Sequence, residues 1–375
     1  MSKSLLIVGD GGHQFTYNLV KELRESGDFT RIDVLTQSPI RDEYRGAYSN
    51  IYSINTQSQI YKLFSISSKV LNIYRYYLYR KLVKKMPEYD FVHAHFVNEA
   101  NSYIVTLFKK AKRIFTFWGS DFYKANKKAL QKVFKICETA HLITFTNEET
   151  MKAYKHKFNL KNEDNLRVCR FGLAPLKYLE TLNSTKLESK TILGLNVNKL
   201  AITLGYNMQQ NQQHLSIINE LVAVPDLHKK VELIIPITYG GDSVYKERIM
   251  GALARSSLSY KVFDTYLDDE TVGHIRNASD SMIQLQVSDQ FSGSMQEHLF
   301  ARNVVITGSW LPYKTLKVNG VEFVEIDSVD KLPASIEHII DNFSFYYNKT
   351  SQNPNTILKL SSWSENISKW ENLYR

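Results

Sequence analysis

Asp289 and Glu297 stand eight residues apart across a turn of small residues, Phe291-Ser292-Gly293-Ser294. Such a turn, leading from a strand into a helix, offers backbone N–H groups that suit phosphate oxygens. Glu297, near the start of that helix, is placed to accept hydrogen bonds from sugar or ribose hydroxyls. An ordinary solvated glutamate beside a plain glycine turn would give the same pattern. Two other segments bring small and polar residues to what must be strand ends. One is Gly205-Tyr206-Asn207, followed by a Gln-rich stretch up to His214. The other is Thr238-Tyr239-Gly240-Gly241-Asp242, with Tyr245, Lys246 and Arg248 beyond it. In the first half of the chain, His93 and His95 alternate within YDFVHAH and so share one strand face, His95 nearer the carboxyl end. The segment FWGSDFY sets an aromatic wall, a glycine and the carboxylate of Asp121 at the next strand end. Asp121 acting as a helix N-cap is the plain alternative. Gly9-Asp10-Gly11-Gly12-His13 lacks the order of a dinucleotide fingerprint, and close backbone approach to a substrate is expected there instead. No third ligand lies near the His93/His95 pair and no Asp-x-Asp occurs, so no metal site is expected.

These residues need strands to deliver them. Short apolar runs at 4–8, 32–35, 51–54, 89–95, 113–117, 141–146 and 167–171 read as strands, and helical periodicity recurs at 15–26, 98–110, 130–140 and 147–158. Residues 174–197 lose both periods and read as a linker. A second series of strands follows at 200–204, 231–237, 260–263, 282–287 and 304–307, with helices at 268–277 and 295–301. Residues 348–354 read as exposed loop. A terminal helix over 363–374 carries Trp363, Ile367 and Trp370 on one face. Alternating strands and helices of this kind build parallel sheets, and ligands of such sheets bind at the carboxyl ends of the strands.

A chain of 375 residues suits two domains, and its 43% hydrophobic content suits sizeable cores. The N-terminus does not read as a signal peptide, and no apolar run reaches the roughly 20 residues that span a bilayer. Cys137 and Cys169 read as buried thiols. A cytoplasmic protein is expected. The net charge of +9 favours an anionic partner. Residues 60–86 concentrate seven Lys and Arg and no acid in one expected helix, with Tyr74, Tyr76, Tyr77 and Tyr79 interleaved and Pro87 ending it. Such a helix reads as a membrane-surface element, and a solvated basic face on an ordinary helix is the alternative.

Two Rossmann-like halves, a linker and a returning terminal helix resemble the GT-B architecture of glycosyltransferases. Asp289 and Glu297 look like the E-x7-E pair of retaining members, with Asp for the first Glu. The WGSDFY turn, GYN…NQQHL and IPITYGGDSVYKERI are similar to motifs of the 4-acetamido-4,6-dideoxygalactose (Fuc4NAc) transferases, which extend lipid-linked polysaccharide precursors. The resemblance implies an α/β fold of two Rossmann-like domains facing a cleft. It divides the chain into an acceptor domain at 1–175, a linker at 176–198, a nucleotide-sugar domain at 199–355 and a helix at 356–375 returning to the first domain. It implies metal-independent transfer with Asp121, His95 and Glu297 as catalytic candidates. Gly205, Asn207, His214, Tyr239, Tyr245, Arg248, Ser292, Gly293, Ser294 and Glu297 would bind the donor, a dTDP- or UDP-sugar. Gly11, Gly12, His13 and Trp118 would bind a glycan or lipid-linked acceptor. The E-x7-E enzymes carry an Arg and a Lys near the Gly205 loop, and this chain has neither there. Arg170, His214, Lys246, Arg248 or backbone N–H groups would then neutralise the diphosphate. No cofactor and no nucleic-acid partner is expected, and the site of action is the inner face of the plasma membrane, on an anionic surface. A sugar-nucleotide epimerase of the same fold and a non-catalytic binder of anionic glycans or lipids are the competing expectations.

Overall fold

The computed structural model describes residues 3–289 and 291–375; Met1, Ser2 and Gln290, the last within the expected turn, lie outside the described residues. The chain divides into two compact units, Met1–Gly172 with Asn366–Arg375, and Leu173–Glu365. Among the described residues the first unit holds a seven-stranded parallel sheet. Its strands are β1 (Lys3–Val8), β2 (Phe29–Leu35), β3 (Ile51–Tyr52), β4 (Phe91–His95), β5 (Lys112–Phe117), β6 (Leu142–Phe145) and β7 (Leu166–Val168), in the order β3-β2-β1-β4-β5-β6-β7. The second unit's six-stranded parallel sheet contains β8 (Leu200–Leu204), β9 (Val231–Pro236), β10 (Ser259–Phe263), β11 (Ser281–Gln284), β12 (Val304–Gly308) and β13 (Val324–Ile326), in the order β10-β9-β8-β11-β12-β13.

Helices cover both faces of each sheet, which is why the central strands read as near-continuous apolar runs. Leu5, Leu6, Ile7 and Val8 are wholly buried, as are Leu233, Ile234 and Ile235. In each sheet the order of strands reverses once, between β1 and β4 and between β8 and β11. A parallel sheet opens a crevice at such a point, outside the carboxyl ends of the two strands.

Several expectations are corrected. Residues 174–197 form two helices, Ala174–Thr181 and Lys186–Ile192, instead of an aperiodic linker. Both pack on the helix Asp269–Ala278. Thr185 and Glu188 close a capping box, satisfying two N–H groups at the second helix's start. Lys190 then reaches the buried Asp280 at 2.7 Å, and Asp280 also accepts the Ala201 N–H at 2.9 Å. The expected loop at 348–354 is helical, continuing from Phe343–Lys349 through a short 3-10 turn into Asn353–Ser361, where Pro354 sits in the first turn that tolerates it. The single basic helix at 60–86 is two helices, Gln59–Phe64 and Ser68–Val83, broken at Ser65–Ser67. The strand expected to reach Val287 ends at Gln284.

The last ten residues belong to the first unit. Trp370 is wholly buried and its indole N–H donates to the Arg170 carbonyl at 2.8 Å. The Tyr374 hydroxyl lies 2.7 Å from His93 Nδ1, and its ring meets Phe29 and Phe91 edge-on.

Candidate functional site

At the reversal in the first sheet, the turn after β1 faces the end of β4. Gly11 N–H donates to Thr36 Oγ1 and Gly12 N–H to Asp10 Oδ1. A Cβ on Gly12 would stand 2.1 Å from the Pro39 carbonyl oxygen, so the close approach expected at this glycine is to the chain's own 36–40 loop, and no substrate is needed to explain it. His13 follows as the N-cap of the helix Gln14–Glu25, its Nδ1 accepting the Phe15 N–H at 3.2 Å. The exposed His13 ring meets the Trp118 ring edge-on at 4.7 Å. Desolvation by the surrounding protein lowers the His13 pKa below 6.5, with Asp10 pulling the other way.

His95 is wholly enclosed by His93, Trp118, Phe171 and Trp370, the last nearly parallel at 5.9 Å. Neither ring nitrogen of His95 has a hydrogen-bond partner, and burial pushes its pKa down to about 3. An imidazole so enclosed has no route to carry positive charge to a substrate. Asp121 is likewise committed. Its Oδ2 accepts the Val97 N–H at 2.7 Å and its Oδ1 the N–H groups of Trp118 and Gly119 at 2.9 Å each. This carboxylate therefore clasps the β4 and β5 loops together instead of capping the following helix. Burial raises its pKa to about 6 against the pull of those three N–H groups. Asp121→Asn should cost about 1–3 kcal/mol, because the amide turns an N–H₂ towards a backbone donor. Urea denaturation checks this; wild-type stability would show the clasp to be dispensable.

At the reversal in the second sheet, Gly205 turns the chain at φ +64° after β8. Asn207 Oδ1 accepts from Gln209 N and Gln212 Nε2, so its side chain holds the loop's own shape. Met208 N–H donates to the Tyr239 carbonyl, tying this loop to the one after β9. Asn211 and Gln213 tie it to the loop after β11, through Gln286, Ser288 and the Leu285 carbonyl. The structure thus brings the expected GYN, TYGGD and SGS segments to one edge, by contacts made within this unit. His214 is buried behind them with Nε2 unpartnered, Tyr245 Oη at 3.4 Å from Nδ1, and a pKa pushed down by burial to about 4. Ser292 Oγ caps Met295 N–H at the head of the helix Gly293–Phe300, and Ser294 Oγ is buried without a partner. Asp289 Oδ2 accepts the Tyr313 hydroxyl at 2.5 Å.

Of the expected diphosphate partners, Lys246 pairs with Asp264 at 2.8 Å, His214 is neutral, Arg170 belongs to the first unit, and Arg248 remains exposed. Among the described residues no group of three or more His, Cys, Asp or Glu side chains is arranged to hold a metal ion.

Residues 4–168 match the family model described as "Glycosyl transferase 4-like". No curated protein sequence matches the chain. Over its whole length the chain is similar to a solved glycosyltransferase from Rickettsia africae, at 16% identity and TM-score 0.78, covering 98% of that chain. It is similar to HepE from Anabaena, solved in complex with UDP and glucose, at 13% identity and TM-score 0.73, covering all of this chain and 99% of that one. Sucrose-phosphate synthase from Thermosynechococcus elongatus is similar at 14% identity and TM-score 0.73, over 100% and 98% of the two chains. The fold is GT-B.

One residue of this GT-B chain escaped the sequence reading. Arg276, on the helix Asp269–Ala278, donates from Nε and Nη2 to a single oxygen of Glu297, Oε2, at 3.0 Å each. Both side chains are buried, Glu297 retaining 7% exposure. Glu297 is accordingly not a solvated helix residue. Its negative charge is felt at Tyr239, whose pKa desolvation raises first, with Asn207 opposing, Glu297 adding and Arg276 subtracting. The available signal was positional. Val272, Ile275 and Arg276 fall on one helical face, so a cation stood where the pattern asked for an apolar residue.

Proposed function

We propose that this chain is a glycosyltransferase that moves a sugar from a nucleotide-sugar to a glycan hydroxyl. The GT-B fold and the match of residues 4–168 support the reaction class. The observation that carries the reading is the reversal point of the second sheet. Three interlocked loops there present Tyr206, Tyr239, Ser294 and the head of the helix Gly293–Phe300, with Glu297 held behind by Arg276. HepE, seen with UDP and glucose, supports a UDP-sugar, and a dTDP-sugar has the same diphosphate. The FWGSDFY, GYN and TYGGD segments favour a donor of the Fuc4NAc kind and a lipid-linked acceptor in surface polysaccharide synthesis. Such an acceptor is met at the cytoplasmic face of the plasma membrane.

Transfer builds oxocarbenium character on the sugar and negative charge on the leaving diphosphate. Backbone N–H groups at the helix head and the exposed Arg248 are the groups offered to that charge. In the first unit, Asp121 and His95 are both committed, and His13, whose Nδ1 accepts the Phe15 N–H, has its Nε2–H left to donate to an acceptor hydroxyl. Trp118 offers an apolar face to a sugar ring beside it.

Incubation with a panel of nucleotide-sugars should release nucleotide from one of them, with release undiminished by EDTA. Loss of turnover in EDTA and its recovery with magnesium or manganese would overturn metal independence. Conversion to an isomeric nucleotide-sugar would favour an epimerase, and silence across the panel a binding protein. His13→Ala should lower turnover at subsaturating acceptor about tenfold, the worth of one hydrogen bond, while nucleotide binding by the second unit is unchanged. Wild-type turnover in that variant would remove His13 from the reaction.

A further inference from the structure

The two helices at 59–83 pack on the first unit by one side only. Tyr79 is buried, and Leu78, Leu82 and Val83 pack against the core. The ring of Phe64 leans on Tyr74 at 4.7 Å, which holds the short helix against the long one. The opposite side is apolar and open. Leu63 is 63% exposed, Ile66 at the bend 85%, and Ile73 71%, while Ile60, Val70 and Tyr77 are also exposed.

The spacing gives that side a direction. Val70, Ile73 and Tyr77 follow one another at three and four residues along one side of the helix Ser68–Val83, and Ile66 stands just before it, at the bend. The next positions on the same line are Lys81 and Lys84, both exposed. The stripe thus runs from aliphatics at the bend, flanked by the exposed Lys62 and Lys69, through a tyrosine, into lysines. No acidic residue occurs from Gln59 to Met86. A protein partner that covers an aliphatic patch has no need of a one-signed charged border. A bilayer with anionic headgroups matches the sequence of layers: hydrocarbon, interface, phosphate.

We propose that the bend between these helices inserts into the headgroup boundary of an anionic bilayer. Ile66, Leu63 and Ile73 enter the acyl region, Tyr77 lies at the interface, and Lys81 and Lys84 contact lipid phosphates. This assigns the membrane contact of the proposed transferase to apolar insertion first and charge second. Only the lipid-linked acceptor rests on the transferase reading; the insertion itself does not.

The test uses the full chain and vesicles of equal parts phosphatidylglycerol and phosphatidylcholine. Wild type should co-sediment, and Ile66→Ser/Ile73→Ser should bind at least about tenfold more weakly, since each buried aliphatic is worth about that factor. Lys81→Glu/Lys84→Glu should also weaken binding, and added salt should reduce wild-type binding without abolishing it. In an Ile66→Trp variant, the emission of the introduced indole should shift to the blue on vesicles and be quenched by lipids brominated in the acyl chain. Equal pelleting of wild type and the serine variant, or no quenching of that indole, overturns the insertion. Concentration-dependent dimerisation of wild type, lost in the serine variant, would assign the face to a second copy. Nucleotide release without lipid should be the same in all these variants. Vesicle binding with no turnover on any nucleotide-sugar would sink the transferase reading and leave this one standing.

Discussion

Arg276→Met should destabilise the second unit by about 3–5 kcal/mol, the usual cost of stranding one partner of a buried ion pair. The size follows from geometry. Two guanidinium N–H groups converge on Glu297 Oε2 at 3.0 Å, and both side chains are more than nine-tenths covered. Removing the cation leaves a carboxylate in a site that water does not reach. The pair as a whole is another matter, because desolvation offsets most of its attraction. Arg276→Met/Glu297→Leu should therefore recover most of the loss. Urea denaturation of the two variants separates the cases. A single variant within about 1 kcal/mol of wild type would mean that solvent screens the pair. The same comparison bears on chemistry, since any loss of turnover in Glu297→Gln mixes lost substrate contact with lost folding unless stability is measured beside it.

Stability should also fall steeply as pH drops below about 6.5. Four histidines, His93, His95, His214 and His298, are wholly buried. Burial lowers the pKa of each, to about 3 for His95 and about 4 for His214, with neighbouring His95 adding to the effect at His93 and Arg276 and Lys186 at His298. The unfolded chain protonates these rings near 6.5 and the folded chain does not. Acid therefore favours unfolding from about 6.5 downwards, until the folded pKa values are reached. At about pH 5, His95 and His214 each contribute roughly 2 kcal/mol to the loss, and His93 and His298 add in the same direction. Asp121 works in the opposite sense. Its folded pKa of about 6 exceeds the ordinary 3.8, so it gains stability as pH falls between the two, by only about 1.4 kcal/mol at pH 5. His93 and His95 lie in the first unit with Asp121, and His214 and His298 in the second, so each unit loses a sizeable part of an ordinary domain's stability and in the first the histidines outweigh Asp121. Thermal scans from about pH 7.5 to about pH 5 should show the midpoint collapsing, less so in His214→Gln. A flat midpoint would mean that these rings find water or partners when charged.

The alternation of strands and helices was legible because each central strand is an apolar run cut off by small or polar residues. LLIV stops at Gly9 and LAITL at Gly205. The edge at which GYN, TYGGD and SGS meet follows from that alternation. Elements whose identity rests on tertiary contact were hidden. The helix Lys186–Ile192 is polar in sequence, and a capping box and the Lys190–Asp280 pair hold it in place. Asn353-Pro354 reads as a breaker, although proline suits the first turn of a helix. Site chemistry was hidden for a related reason. Residue type marked Asp121 and His95 as reactive, but three N–H groups and an aromatic enclosure, assembled from separate loops, take them out of use.

The return of Trp370 and Tyr374 to the first unit has a consequence for synthesis. The ribosome completes the strands of the first sheet early, then makes all of the second unit before the two aromatic residues emerge. At about 5–20 residues per second that interval is roughly 10–40 s. Throughout it His93 lacks its Tyr374 partner, and Phe91, Phe29 and Phe171 lack the rings that cover them. The second unit, continuous in sequence, can close first, so the nascent chain matures in the reverse of its order of translation. During that wait the half-made first sheet is the part of the molecule most in need of a chaperone.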